Sequence, residues 1–371
     1  MASDLSTSSG VLEYLKTTPF ASATVEPLSG GNSNFVYRLH LREHAVLQTA
    51  VLKHAAPYLA SDSNFSILVE RMAFEVAAMR ATKAALPENS VATVPTIHHY
   101  DEDAHVFIMD DCGNGGLTLK QLMLERPPPI AMGIAIGTAL GDFLGHFHAW
   151  GVDPIASQHA YFNTNQQGKM LTRYCTYDRL VSTLNGKDRL PSLSDPPLRV
   201  SQTDLDTISK ASDERCDAID KSQETLTMGD FWPGNILVNI QYPLNGDPPL
   251  LQRIYVVDWE LAKPGVSGLD VGQACAEMHL LRRFNPACEP TISQTMEAFL
   301  KAYRDKYSVP YSMAKIVAGH IGAHLVAWTP RIPWGGKELT REVVMEGVEY
   351  LTEGYAGESK WLQSSIVRPL L

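Results

Sequence analysis

The chain has 371 residues, of which 44% are hydrophobic and 19% charged; 41 Asp and Glu outweigh 31 Lys and Arg, for a net charge of −10. That length exceeds one simple core and suits two lobes, and the acidic balance excludes the basic footprint a nucleic-acid partner needs. Five scattered cysteines with no C-x-x-C pair read as reduced thiols, which excludes a disulfide scaffold or zinc site and points to a cytoplasmic protein.

Residues 1–10 carry neither a basic nor an apolar leader-like run, so secretion is not expected. The longest apolar stretch, residues 130–150, contains Asp142, His146 and His148. It is expected to be a buried helix, with no membrane partner. A monomer is the default expectation.

The first third reads as β-rich. Residues 23–28 and 35–41 are strand-like runs separated by Ser29-Gly30-Gly31-Asn32-Ser33-Asn34, a turn by composition. Residues 50–53 give a third strand, ending at Lys53. Residues 69–85 place Met72, Val76 and Met79 at helical spacing. Residues 96–100 and 105–109 complete five strands around one helix. The glycine-rich run at residues 110–116 breaks this pattern and predicts a hinge.

Beyond the hinge the pattern turns helical. A short helix is predicted at 118–125 and a long one at 130–150, opening after Pro127, Pro128 and Pro129. Residues 151–201, rich in Pro, Asn and Ser, predict one or two helices among long loops. Short strands return at 236–239 and 254–257, and residues 269–362 are mostly helical.

The segment with most chemistry is Met228-Gly229-Asp230-Phe231-Trp232-Pro233-Gly234-Asn235, running into the strand 236–239. The next strand ends in Asp258-Trp259-Glu260. Phosphoryl transfer needs a carboxylate to orient the acceptor hydroxyl and oxygen ligands for a metal ion on the phosphates. Asp230 fits the first role, Asn235 and Asp258 the second, with Glu260 as an extra ligand. The D-x4-N spacing alone is ordinary turn chemistry; the adjoining strand and the second acidic pair change that reading.

Gly-Asp-Phe-Trp-Pro-Gly-Asn resembles the catalytic loop of the aminoglycoside phosphotransferase/choline kinase superfamily, and the D-x-E form resembles its methylthioribose kinase-like branch. The strings 228–238, 258–263, 267–272 and 323–328 are similar to the fungal 4-hydroxytryptamine kinases, over about residues 28–334. The resemblance implies an α+β, bilobal protein-kinase-like fold: a β-rich N-terminal lobe at 1–110 and a mostly helical C-terminal lobe at 111–371. It also implies an enzyme that uses ATP and Mg2+ to phosphorylate a hydroxyl on a small molecule. A 4-hydroxytryptamine-like amine comes first among acceptors, with methylthioribose or another sugar as the alternative. One departure is Met228, where most of the superfamily has His. It motivates a competing reading as a nucleotide-binding protein without catalysis.

On this template, residues 29–34 through Asn34 would cover the phosphates, and Lys53 would bridge them; alone, either would be a plain turn or a solvated strand end. Glu75 is the chosen partner of Lys53, with Glu70 as the fallback. Adenine would bond the backbone near Asp110–Cys112. Asp270 would anchor the catalytic loop, or simply cap a helix. His320 and His324 are read as packing or pocket residues, not a metal pair. Trp328, Arg331 and Trp334, in a Pro/Gly-rich segment after a helix, would line the acceptor pocket.

Overall fold

The computed structural model describes residues 3–28, 31–42, 47–113, 116–243 and 247–371. Ser29, Gly30, Asn114 and Gly115, which belong to the expected phosphate turn and hinge, lie outside them.

The five expected strands form one antiparallel sheet. Its spatial order is Ser22–Pro27, Phe35–Leu41, Thr49–His54, Val106–Asp110, Ile97–Asp101. The central strand Thr49–His54 is buried along its middle, as a strand covered on both faces must be. One face packs on the helix Arg71–Ala85 through Met72, Val76 and Met79. The other is covered by Ser8–Leu15, which buries Val11 and Leu15 against Leu39, Leu52 and Ile108. That helix was not anticipated. Thr7 caps it by accepting from the Gly10 N–H at 3.1 Å.

A hairpin of Tyr58–Leu59 and Asp62–Ser66, also unanticipated, projects from the third strand before the helix begins. A further short strand precedes the hinge. Ala92–Thr93 leaves the small lobe and pairs in parallel with Leu250–Val256, in the large lobe's four-stranded sheet. Leu117–Thr118 joins the opposite edge of that sheet, beside Ile236–Gln241. The chain therefore touches the large lobe once, returns, and crosses again at the hinge.

The large lobe is built on the helix Ile130–Gly151, which is long and apolar enough to cross a membrane by length and composition. Its Gly133, Gly137, Gly141 and Gly145 form a stripe at four-residue spacing along the contact with Glu289–Lys306. A Cβ on Gly137 would lie 2.1 Å from the Thr295 carbonyl oxygen, and one on Gly141 2.3 Å from that of Phe299. The two helices touch backbone to backbone, so the apolar length of Ile130–Gly151 is spent on packing against protein. Ser267–Phe284 and Tyr311–Trp328 stack beside this pair, with Lys337–Ala356 outside. Residues 151–201 hold several short helices, including Gln166–Thr172, Arg173–Tyr177 and Leu180–Leu184. The 20-residue helix Gln202–Lys221 follows.

Candidate active site

The catalytic loop begins where the strand Thr225–Thr227 ends. Asp270, in the first turn of Ser267–Phe284, accepts from the Met228 N–H at 2.7 Å and the Gly229 N–H at 2.9 Å. His148, fully buried on the long helix, bonds Asp270 Oδ2 at 3.2 Å and the Tyr303 hydroxyl at 2.8 Å. An imidazole thus supports the anchor from another helix, while Met228 is packed in the core and contributes only its backbone. Asp270 is an anchor, as the resemblance implied. Gly229 has φ +81°, and a Cβ there would sit 2.5 Å from Lys263 Nζ and 2.7 Å from the Leu261 carbonyl oxygen. Only glycine fits that turn.

The loop then presents Asp230. Its Oδ2 accepts from Asn235 Nδ2 at 2.9 Å and its Oδ1 from Gln273 Nε2 at 2.7 Å. Burial and the nearby Asp258 carboxylate push the Asp230 carboxyl up to about 7, against the pull of those two hydrogen bonds. Its edge still opens on a cavity, so the group is enclosed by protein but reachable. Asn235 spends its N–H donors on Asp230, which leaves Oδ1 as its free face.

Asp258 follows the strand Leu250–Val256 with φ +70°, left-handed backbone that is unusual for a non-glycine residue. Trp259, fully buried, fixes this turn. Its indole N–H donates to the Val256 carbonyl at 3.0 Å, and its ring meets Phe147 edge-on at 5.0 Å. Lys53 bonds Glu75 at 2.8 Å and Asp258 Oδ1 at 2.5 Å. Burial opposes the Lys53 charge, but the Asp258 and Glu75 carboxylates outweigh it and hold the ammonium charged. Burial raises Glu75, with Lys53 pulling the other way. Glu70 is exposed at the helix start, so Glu75 is the partner.

Glu260 accepts from Asn34 Nδ2 at 2.6 Å and pairs with Arg71 at 3.4 Å. Arg71 is 2% exposed and was not recognised in the sequence. It also donates to Asn34 Oδ1 at 3.0 Å and to the Ser33 and Ala56 carbonyls at 3.0 Å. One guanidinium therefore ties the turn after the first strand, the end of the third strand and the D-x-E motif together. Its position on a helix beside charged Glu70 gave no sign of burial.

Two cavities meet at this cluster. One, of about 490 Å³, lies between the lobes beneath Leu28, Val36 and Val51, reaches Lys53 and Asn34, and ends at Asp110 and Cys112. The Asp110 carboxylate accepts from the Thr96 N–H and is bonded to His98, and the Asp110 N–H donates to the Thr96 carbonyl at 3.0 Å. The second, of about 390 Å³, runs from Asp230 into the large lobe past Lys263, His320, His324 and Trp328. Leu59, Phe65 and Ile67 of the hairpin region roof it. Asn235, Asp258 and Trp232 face both cavities. Asn235 and Asp258 border both cavities and Glu260 lines the second; oxygen donors of this kind fit a hard divalent cation. Glu75, Asp258 and Glu260 also place carboxylate oxygens within 4.8 Å of one another.

Two expected acceptor residues lie elsewhere. Arg331 is drawn to Asp188 and Thr183 and to the Ala327 carbonyl, because a half-buried guanidinium seeks a carboxylate. Trp334 stacks on Phe284 at 5.8 Å with Lys120 Nζ 4.3 Å above its ring, on the hinge side. Trp328 does line the second cavity. Gln273 and Lys263 were missed. Lys263 is buried in the same wall, its ammonium pushed down to about 8 by burial and donating to the Leu261 carbonyl at 3.1 Å.

Residues 24–311 match the model of the phosphotransferase enzyme family. The chain belongs to that family. This phosphotransferase is 34% identical to the 4-hydroxytryptamine kinase of Psilocybe cyanescens over 368 residues, 95% of this chain and 94% of that one. It is 33% identical to the 4-hydroxytryptamine kinase of Psilocybe cubensis over 365 residues, 94% and 93% of the two chains. The GDP complex of an aminoglycoside 2′-phosphotransferase IIIa variant shares the fold, with a TM-score of 0.50 at 14% identity, covering 93% of this chain and 94% of that one. The bilobal kinase-like fold is thereby shown, and the protein is an enzyme that transfers phosphate to a hydroxyl of a small molecule.

Proposed function

We propose that this phosphotransferase moves the γ-phosphate of ATP, in the presence of Mg2+, to the hydroxyl of an aromatic amine of the 4-hydroxytryptamine kind. The observation that carries the reading is the junction of the two cavities: Asp230, Asn235, Asp258 and Lys53 stand where a nucleotide's last phosphate and an acceptor hydroxyl would meet. Lys53 would hold the inner phosphates, and the backbone near Asp110–Cys112 would take the adenine edge. Asn235, Asp258 and Glu260 would hold the cation, which supplies charge neutralisation on the phosphates when bound. Asp230 orients the acceptor hydroxyl and takes its proton; Asn235 and Gln273 fix the direction of that carboxylate. The mostly apolar lining, which includes Trp328, Leu269 and Phe65, suits an aromatic acceptor better than a sugar.

The test is an acceptor panel with ATP and Mg2+, read as phosphorylated product by mass spectrometry. It includes 4-hydroxytryptamine, methylthioribose, choline and an aminoglycoside. Turnover of the hydroxytryptamine supports the reading. Turnover of methylthioribose alone sinks the aromatic acceptor and keeps the kinase. ATP-dependent thermal stabilisation with no product on any acceptor would favour a silent nucleotide-binding role.

A further inference from the structure

The second cavity has a polar end away from Asp230. His320, His324 and Trp328 follow one another at four-residue spacing on Tyr311–Trp328, and all three line the cavity. Each imidazole has one nitrogen bound. His320 Nδ1 meets the Tyr177 hydroxyl at 2.6 Å, and His324 Nε2 meets Glu277 Oε1 at 2.7 Å. The Trp328 ring stacks on that of His324 at 5.8 Å and 21°.

Glu277 belongs to the facing helix, where Asp270, Gln273 and Glu277 fall on one side. Gln273 touches Asp230; Glu277 stands one turn further, about 6 Å along the axis. Glu277 is 8% exposed, and its second oxygen is buried with no hydrogen-bond partner. Among the described residues its one ion-pair neighbour is His324; no Lys or Arg reaches it. A buried carboxylate without a cation is costly to keep. Such carboxylates beside histidine fix the ring's tautomer. Because Nε2 of His324 is held by Glu277, Nδ1 is the ring nitrogen left for the cavity, with a carboxylate behind it. That combination fits a cation that has an N–H to give.

We propose that the Glu277–His324 dyad recognises the ammonium of the acceptor. His324 Nδ1 accepts an N–H bond from a primary, secondary or tertiary ammonium, and Glu277 supplies the opposing charge behind it. The acceptor ring then lies along Trp328 and His320, with its hydroxyl at Asp230. The inference rests on the aromatic-amine reading above and adds which groups read the amine. It also excludes a fully quaternised ammonium, which has no N–H.

The test compares kcat and KM of the wild type and Glu277→Gln on three acceptors: 4-hydroxytryptamine, its N,N,N-trimethyl analogue, and 4-hydroxyindole, which keeps the ring and hydroxyl but lacks the ammonium. The wild type is expected to show a lower KM for 4-hydroxytryptamine than for the other two. Glu277→Gln is expected to raise the 4-hydroxytryptamine KM about tenfold or more, equivalent to 1.4 kcal/mol. The 4-hydroxyindole KM and the ATP KM should stay unchanged. Equal losses on 4-hydroxytryptamine and 4-hydroxyindole, or an unchanged 4-hydroxytryptamine KM, would overturn the assignment. Should Glu277→Gln fail to fold, His324→Gln is read by the same two criteria. A wild type that turns over none of the three indoles fails the acceptor reading itself. A wild type that turns over 4-hydroxytryptamine and 4-hydroxyindole with one KM fails only the dyad.

Discussion

Gln273 donates to the Asp230 carboxylate at 2.7 Å from the same helix whose first turn holds the catalytic loop through Asp270. Backbone position and side-chain direction of Asp230 are therefore set by one helix. Asn235, bonded to the other oxygen at 2.9 Å, completes the alignment.

Asp230→Asn is expected to lower kcat by about 10²–10⁴-fold, the range for a positioned general base, with ATP binding retained in calorimetric titration. The same variant should be the more stable protein when free of metal and nucleotide. Folding lifts this carboxyl from an ordinary 3.8 to about 7, so the folded state binds more protons between those values. Stability from this group falls as pH rises through that window, and the cost is complete above it. The stability gain of Asp230→Asn should be larger near about pH 8 than near about pH 5. Urea unfolding with a chelator present at both pH values checks it; a gain independent of pH would contradict the buried, raised carboxyl.

Lys53→Met leaves Glu75 and Asp258 without their cation. Removing one partner of a buried ion pair costs about 3–5 kcal/mol, so the variant should unfold at markedly lower denaturant and bind ATP weakly. Glu70→Ala, at the exposed helix start, should stay within about 0.5 kcal/mol of wild type.

Arg71→Met, similar in length but without donors, strands the Ser33 and Ala56 carbonyls and the Glu260 carboxylate. Each buried polar group left unpaired costs about 1–3 kcal/mol. The ATP KM should rise more than the acceptor KM, because Asn34, which Arg71 holds, lines the inter-lobe cavity and not the second one. Equal effects on both would show that the guanidinium only supports the core.

The glycine stripe offers a paired stability test. Gly137→Ala places a methyl against the Thr295 carbonyl oxygen and is expected to lower stability by about 1–3 kcal/mol. Gly319→Ala, on a helix where a Cβ would meet nothing within 4 Å, should raise it by up to about 1 kcal/mol. Melting temperatures of the two variants should move in opposite directions.

Much of this architecture was legible in the residues. The five strands of the small lobe announced themselves by short apolar runs between turn residues. The catalytic loop and Asp258-Trp259-Glu260 stood out because their acids and amide abut strands. What escaped notice has physical reasons. Arg71 is a charge buried by tertiary contacts from three separate segments, and local sequence cannot report that. Gln273 looks like any polar helix residue until the catalytic loop is laid beside it. Arg331 and Trp334 were placed by loop composition, which gave no direction for their side chains. The helix Gln202–Lys221 was overlooked although Ser201 and Asp204 supply a start signal; only Ile208, Ser212 and Ile219 along its length are buried, so the apolar stripe is thin.

Ala92–Thr93 has a mechanical consequence. Because that short pairing pins the middle of the small lobe's chain to the large lobe's sheet, and residues 111–113 leave from a separate point, the lobes are joined like a door hung on two pins. Two attachment points define an axis: swinging about it is easy, while sliding or twisting strains the Ala92–Thr93 pairing. Gly31, Asn32 and Ser33 border both cavities, so a shift of that segment would alter the two compartments together.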